Sequence, residues 1–176
     1  LQAHGSLPGL IKQARSWLYD VLLGQRILRD ASKVIALTHI EAEQCQNMGI
    51  PESKIAIIPN GIDISEYKNL PPKGSFKENH KIRNDKKIIL YLGRIHKIKG
   101  IDFLLKAYAK LVTEMNINNA LLVLVGQDDG YLSGARSLIG QLGLQEKVLF
   151  MGPLYGRNKL EAYVDADLCV LPSRYE

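Results

Sequence analysis

Gly93, Arg94, Lys97 and Lys99 stand in the segment GRIHKIKG at 93–100, directly after the apolar run Ile88–Leu92 and directly before a helical pattern from Ile101. An arginine can fork two phosphate oxygens, and a lysine supplies a point charge beside them. Gly93 lets the backbone turn sharply and come close to a ligand. Strand, glycine turn, cationic loop and helix in that order form a holder for an anion near a helix N-terminus. Two cations suit a diphosphate, so the ligand class is a nucleotide or nucleotide-sugar. The plainer reading is an ordinary basic β-α loop. No G-x-G-x-x-G run and no G-x-x-x-x-G-K-[ST] run occurs, which argues against a nicotinamide fingerprint and a Walker loop.

Four other places carry chemistry-bearing residues. Gly126, Asp128 and Asp129 follow the apolar run ending at Val125. The paired acids are read as a helix cap rather than a metal site, and Gly126 as a point of close approach to a ligand. Asp165 and Asp167 resemble a metal-binding D-x-D pair, but they precede a strand, on the edge of the sheet opposite to where ligands bind. Glu176 follows the last strand on the ligand side; it could accept bonds from sugar hydroxyls or be a surface acid, and spacing does not decide. His4 precedes the first long helix; it could face a ligand or be structural. No metal is expected, and His39, His80 and His96 are scattered.

The elements that must position these groups alternate. The spacing predicts a helix over 9–30, a strand over 33–37, a helix over 40–48 capped by Thr38 or His39, and a strand over 54–58. Residues 63–86 hold Pro71-Pro72, Gly74 and several lysines, and read as a linker or exposed loop with at most one short helix near Phe76. Strands follow at 87–92, 120–125, 147–151 and 168–171, separated by helices over 101–114, 131–142 and 157–165. This alternation predicts parallel β-α-β units and a doubly wound α/β sheet. The domain boundaries expected are 1–60, a linking segment 61–85, and 86–176.

The chain of 176 residues has a net charge of +5, from 23 basic and 18 acidic residues, with 46% hydrophobic residues. The basic excess is modest and forms no stripe for nucleic acid. No apolar stretch reaches the roughly 18 residues of a membrane span. Cys45 and Cys169 have no metal spacing, and Cys169 is read as a buried thiol within the apolar run 168–171. Both ends look cut from a longer chain, which leaves a strand edge at 168–171 without its expected cover.

Taken in order, HG at 4–5, PNGID at 59–63, LGRIHKIKGID at 92–102, LVGQDDGYL at 124–132 and VLFMGPLYGRNKLEAYVDADLCVLPSRYE at 148–176 resemble the retaining glycosyltransferases of family 4. That resemblance implies the GT-B fold, with two Rossmann-like parallel-sheet domains, both incomplete in this chain. Residues 1–60 would end an acceptor-side domain, Asn60-Gly61 would lie at the interdomain crossing, and 86–176 would begin the donor domain. Carried over by motif, Arg94 and Lys99 bind the donor diphosphate, Gly93 and Gly126 line the donor site, His4 faces the donor sugar, and Glu176 is the first glutamate of an E-x7-E motif. The second glutamate would fall beyond Glu176.

The activity implied is transfer of a sugar from a nucleotide-diphosphate donor to a hydroxyl acceptor with retained configuration and without a metal or other cofactor. The acceptor would be a glycan or a lipid-linked molecule. The location implied is cytoplasmic, with the inner face of the membrane, and peripheral association with it, compatible with the family. Two alternatives stay open: a sugar phosphorylase or epimerase on the same fold, and a non-catalytic nucleotide-binding module.

Overall fold

A computed structural model describes residues 25–174. His4, Glu176 and most of the helix expected over 9–30 lie outside the described residues; its last part is helix α1, Gln25–Asp30. The chain forms two compact units that divide between Ile62 and Asp63.

In the first unit, β1 (Val34–Ala36) pairs in parallel with β2 (Ile55–Ile57), with Val34 opposite Ile55. Helix α2 (His39–Asn47) joins them. Thr38 caps it: its hydroxyl accepts from Glu41 N at 3.1 Å, and the Glu41 carboxylate accepts from Leu37 N at 2.6 Å. The Thr38 hydroxyl thus satisfies one donor that a helix start leaves open, and Glu41 reaches back to the residue before the cap. Leu28, Val34, Cys45 and Ile50 form the small core.

The second unit is a parallel sheet in the order β5-β4-β3-β6. Its strands are β3 (Lys87–Leu92), β4 (Ala120–Val125), β5 (Val148–Gly152) and β6 (Leu168–Cys169). KIILYL and ALLVLV are near-continuous apolar runs because β3 and β4 are central and covered on both faces. Side chains alternate between the faces. Tyr91, Leu122 and Leu124 pack with α4 (Ile101–Thr113) and α5 (Leu132–Gln141). Ile88, Leu90, Val123 and Val125 pack with Phe76 of α3 (Ser75–Asn79) and Ala162 of α6 (Gly156–Asp165).

Two expectations are corrected. The stretch 63–86 is not simply an exposed linker: Phe76 is fully buried, and α3 is part of the sheet's cover. Asp165 ties it down, accepting from Gly74 N at 2.5 Å and Lys77 N at 2.9 Å across 91 and 88 residues. Those bonds were invisible in a segment rich in Pro, Gly and Lys. Cys169 is exposed rather than buried: among the described residues β6 lies at the edge of the sheet and pairs with β3 through Leu168 and Cys169. Leu168 and Leu171 are also exposed there.

The D-x-D acids therefore have structural bonds. Asp167 accepts from Lys87 Nζ and Ile88 N, each at 2.9 Å, and the Lys87 contact holds its carboxyl below the usual range. Asp165 is 2% exposed and its carboxylate is the N-terminal acceptor of α3. Asp165→Ala is expected to lower stability by roughly 2–3 kcal/mol, the scale of charged hydrogen bonds lost at a buried site. Chemical denaturation checks this; an unchanged midpoint would show that α3 docks without Asp165.

Candidate functional site

Chain order reverses its winding within the second unit's sheet, and the carboxyl edge is where ligands of such sheets bind. From β3 the chain passes through α4 to β4 and through α5 to β5, always on one side of β3. It then crosses through α6 to β6, on the other side of β3. The point between β3 and β6 is where the winding reverses, and ligands of open parallel sheets bind outside the strand ends at such a point. The loop 93–100 leaves β3 there, and the loop beginning at Val170 leaves β6 there.

The loops after β3 and β4 are joined through their backbones. Gly93 N donates to Val125 O at 2.9 Å, and Ile95 N to Gln127 O at 2.8 Å. Gly126 has φ +155°, and a Cβ on it would lie 1.7 Å from the Gly93 carbonyl oxygen. Only glycine fits between those chains. A second strand end joins here, since Gly126 N donates to Gly152 O at 2.8 Å. Gly93 and Gly126, singled out separately from the sequence, are thus in direct contact.

Tyr91 supports the loop from below. It is fully buried, and its hydroxyl donates to the Arg94 carbonyl at 2.7 Å. Burial pushes its phenol up to about 12, and the nearby Arg94 offsets this only in part. As a member of an apolar strand run, Tyr91 carried no sign of this role in the sequence.

The charged groups cluster on the same loops. Arg94 pairs with Asp129 at 2.8 Å, both partly exposed. Asp128 is the cap of α5, as its position predicts: its Oδ1 accepts from Gly130 N, Tyr131 N and Leu132 N at 3.0–3.2 Å. The His96 ring accepts from Ile98 N at 3.1 Å and starts the single 3₁₀ turn Lys97–Lys99. That turn runs directly into α4. Lys97 and Lys99 thus stand just before the positive end of α4, whose first turn carries Asp102.

Among the described residues no helix is long and apolar enough to cross a membrane. An open hollow lined by Lys81, Arg83 and Lys86 lies at the amino ends of β4 and β5, away from these loops.

The family Glycosyl transferases group 1 matches residues 72–176, well over half of the chain. The chain belongs to this family. Residues 1–66 match Glycosyltransferase Family 4. An uncharacterized glycosyltransferase, MJ1607 of Methanocaldococcus jannaschii, is 36% identical over 142 residues, which is 78% of this chain and 35% of that protein. The mannosylfructose-phosphate synthase of Agrobacterium fabrum is 29% identical over 157 residues, 85% of this chain and 34% of that enzyme. Among solved structures, Anabaena Alr3699/HepE in complex with UDP and glucose superposes with a TM-score of 0.79 at 22% identity, covering 98% of this chain and 45% of that one. This group 1 chain therefore has the GT-B type of α/β architecture and spans less than half the length of the proteins it matches.

Tyr91→Phe is expected to cost about 1 kcal/mol, the net worth of one hydrogen bond. The pH dependence follows from its raised value. A phenol at about 12 in the folded chain, against about 10 when unfolded, favours the fold fully below pH 10 and loses that contribution as pH rises from 10 to 12. Tyr91→Phe should therefore make stability fall less steeply over that window, where the raised phenols of Tyr108, Tyr131 and Tyr163 still contribute. Denaturant midpoints from pH 9 to pH 12 measure it; an unchanged slope would mean that Tyr91 is not a buried neutral phenol.

Proposed function

We propose that the complete protein is a retaining hexosyltransferase that moves a sugar from a nucleoside-diphosphate donor to a hydroxyl acceptor, and that the carboxyl-edge crevice of the second unit is its donor site. The observation that carries this reading is the cationic loop at the point where the sheet's winding reverses. Family membership and a structural relative that holds UDP and glucose support it.

In this reading Arg94 and Lys99 bind the diphosphate, while Gly93 and Gly126 let two loops close around it. As the bond from sugar to phosphate breaks, negative charge grows on the departing diphosphate. The guanidinium, the ammonium and the N-terminal N–H groups of α4 stabilise that charge where it develops. The leaving phosphate, on the donor's own face, takes the acceptor proton. By motif alone, the family resemblance assigns His4 and Glu176 to the donor sugar. No metal is needed in this scheme, because the fixed cations do its work. The acceptor is a glycan or lipid-linked molecule, and the protein acts in the cytoplasm, at the inner face of the membrane where the acceptor is a lipid.

A screen of nucleotide sugars with the complete protein, reading nucleoside diphosphate release, tests the function. Release that depends on a hydroxyl acceptor is expected. Release of sugar phosphate that depends on inorganic phosphate would make the protein a phosphorylase. Nucleotide binding without any turnover would make it a binding module. In that assay Arg94→Ala and Lys99→Ala should each remove roughly 1.5–4 kcal/mol of transition-state stabilisation. Wild-type kinetics in either folded variant would overturn the assignment.

Turnover is also expected to survive a strong chelator. Activity lost on chelation and restored by magnesium or manganese would contradict the metal-free scheme.

A further inference from the structure

The loop after β6 is fastened to the loop after β3 at three points. Arg174 N donates to Ile98 O at 2.9 Å. The Arg174 guanidinium donates to Asp102 Oδ2 at 2.5 Å. A Cβ on Gly100 would lie 2.0 Å from the Pro172 carbonyl oxygen, so the two backbones touch at a residue with φ +68°. The two charged partners are 72 residues apart in sequence.

This is not an ordinary surface ion pair. The Asp102 side chain is 16% exposed, and its second oxygen is buried without a hydrogen-bond partner. Asp102 stands in the first turn of α4, where the helix dipole favours a carboxylate. That would explain an acid here, but not why an arginine from another strand's loop reaches it. A carboxylate so largely removed from water depends on its partner, and separating the two leaves a poorly solvated charge.

We propose that Asp102 and Arg174 are a positioning pair: they clamp the loop after β6 onto the loop that carries Arg94 and Lys99, and donor affinity depends on that clamp. The inference rests on the reading that this crevice holds a nucleoside diphosphate. The pair acts through the shape of the crevice. It also neutralises a carboxylate that would otherwise repel the donor from the first turn of α4.

Charge alone and clamping make opposite forecasts, which allows a direct test. The complete protein is titrated calorimetrically with UDP and with GDP, with thermal midpoints measured in parallel. If only local charge matters, Asp102→Asn tightens nucleotide binding, Arg174→Ala weakens it, and the double variant lies near wild type. With a clamp, Asp102→Asn and Arg174→Ala each weaken binding by about tenfold, as expected when a positioned group is misplaced by a fraction of an ångström to an ångström. The double variant is then no weaker than the weaker single variant, because both break the same link. Arg174→Lys, which keeps the charge but loses the planar fork, weakens binding by less.

Tighter binding by Asp102→Asn, or wild-type affinity in folded variants whose thermal midpoints alone fall, would overturn the proposal. If wild-type protein binds neither UDP nor GDP, the donor-site reading fails first and this inference falls with it.

Discussion

β3 is hydrogen-bonded along both edges, to β4 on one side and to β6 on the other, and the second unit depends on that placement. Its two neighbours belong to opposite directions of winding. The loop leaving β3 at Leu92 is therefore held between the loop leaving β4 and the loop leaving β6. The contacts are close on both sides. Gly126 meets the Gly93 carbonyl, and Gly100 meets the Pro172 carbonyl. Tyr91 fills the space beneath. A loop constrained from both sides and from below can keep cations where an unrestrained basic loop would let them relax into solvent.

The charges at this edge oppose the local helix electrostatics. Lys97 and Lys99 run into the positive end of α4, and Arg94 stands on the same loop. Asp129 pairs with Arg94, and Asp102 pairs with Arg174. In the donor-site reading, a diphosphate is the anion that these cations hold. The amino edge is different in kind. There Asp165 and Asp167 are spent on backbone N–H groups and on Lys87, which fixes α3 and the strand starts.

Much of this was legible in the sequence. KIILYL and ALLVLV are apolar enough to announce central strands, and GRIHKIKG announces a cationic turn before a helix. Thr38 and Asp128 announce caps by type and position. Properties that depend on distant neighbours were not legible. Phe76 sits among prolines, glycines and lysines, and only the docking of α3 by Asp165 reveals it as core. Cys169 lies in an apolar run, but such a run does not distinguish an edge strand from a central one. Tyr91 reads as one more strand residue until its hydroxyl is seen under Arg94. Arg174 and Asp102 meet across 72 residues, and neither has a local pattern that marks it. His4 and Glu176 lie outside the described residues, so their roles rest on motif and family.

The central claim is that a nucleoside diphosphate binds at the carboxyl edge of this sheet. A crystal structure of the complete protein soaked with UDP tests it most directly. The diphosphate is expected within hydrogen-bonding distance of the Arg94 guanidinium and the Lys99 ammonium, beside the N-terminus of α4. Diphosphate density at the opposite edge instead, in the hollow lined by Lys81, Arg83 and Lys86, would contradict it.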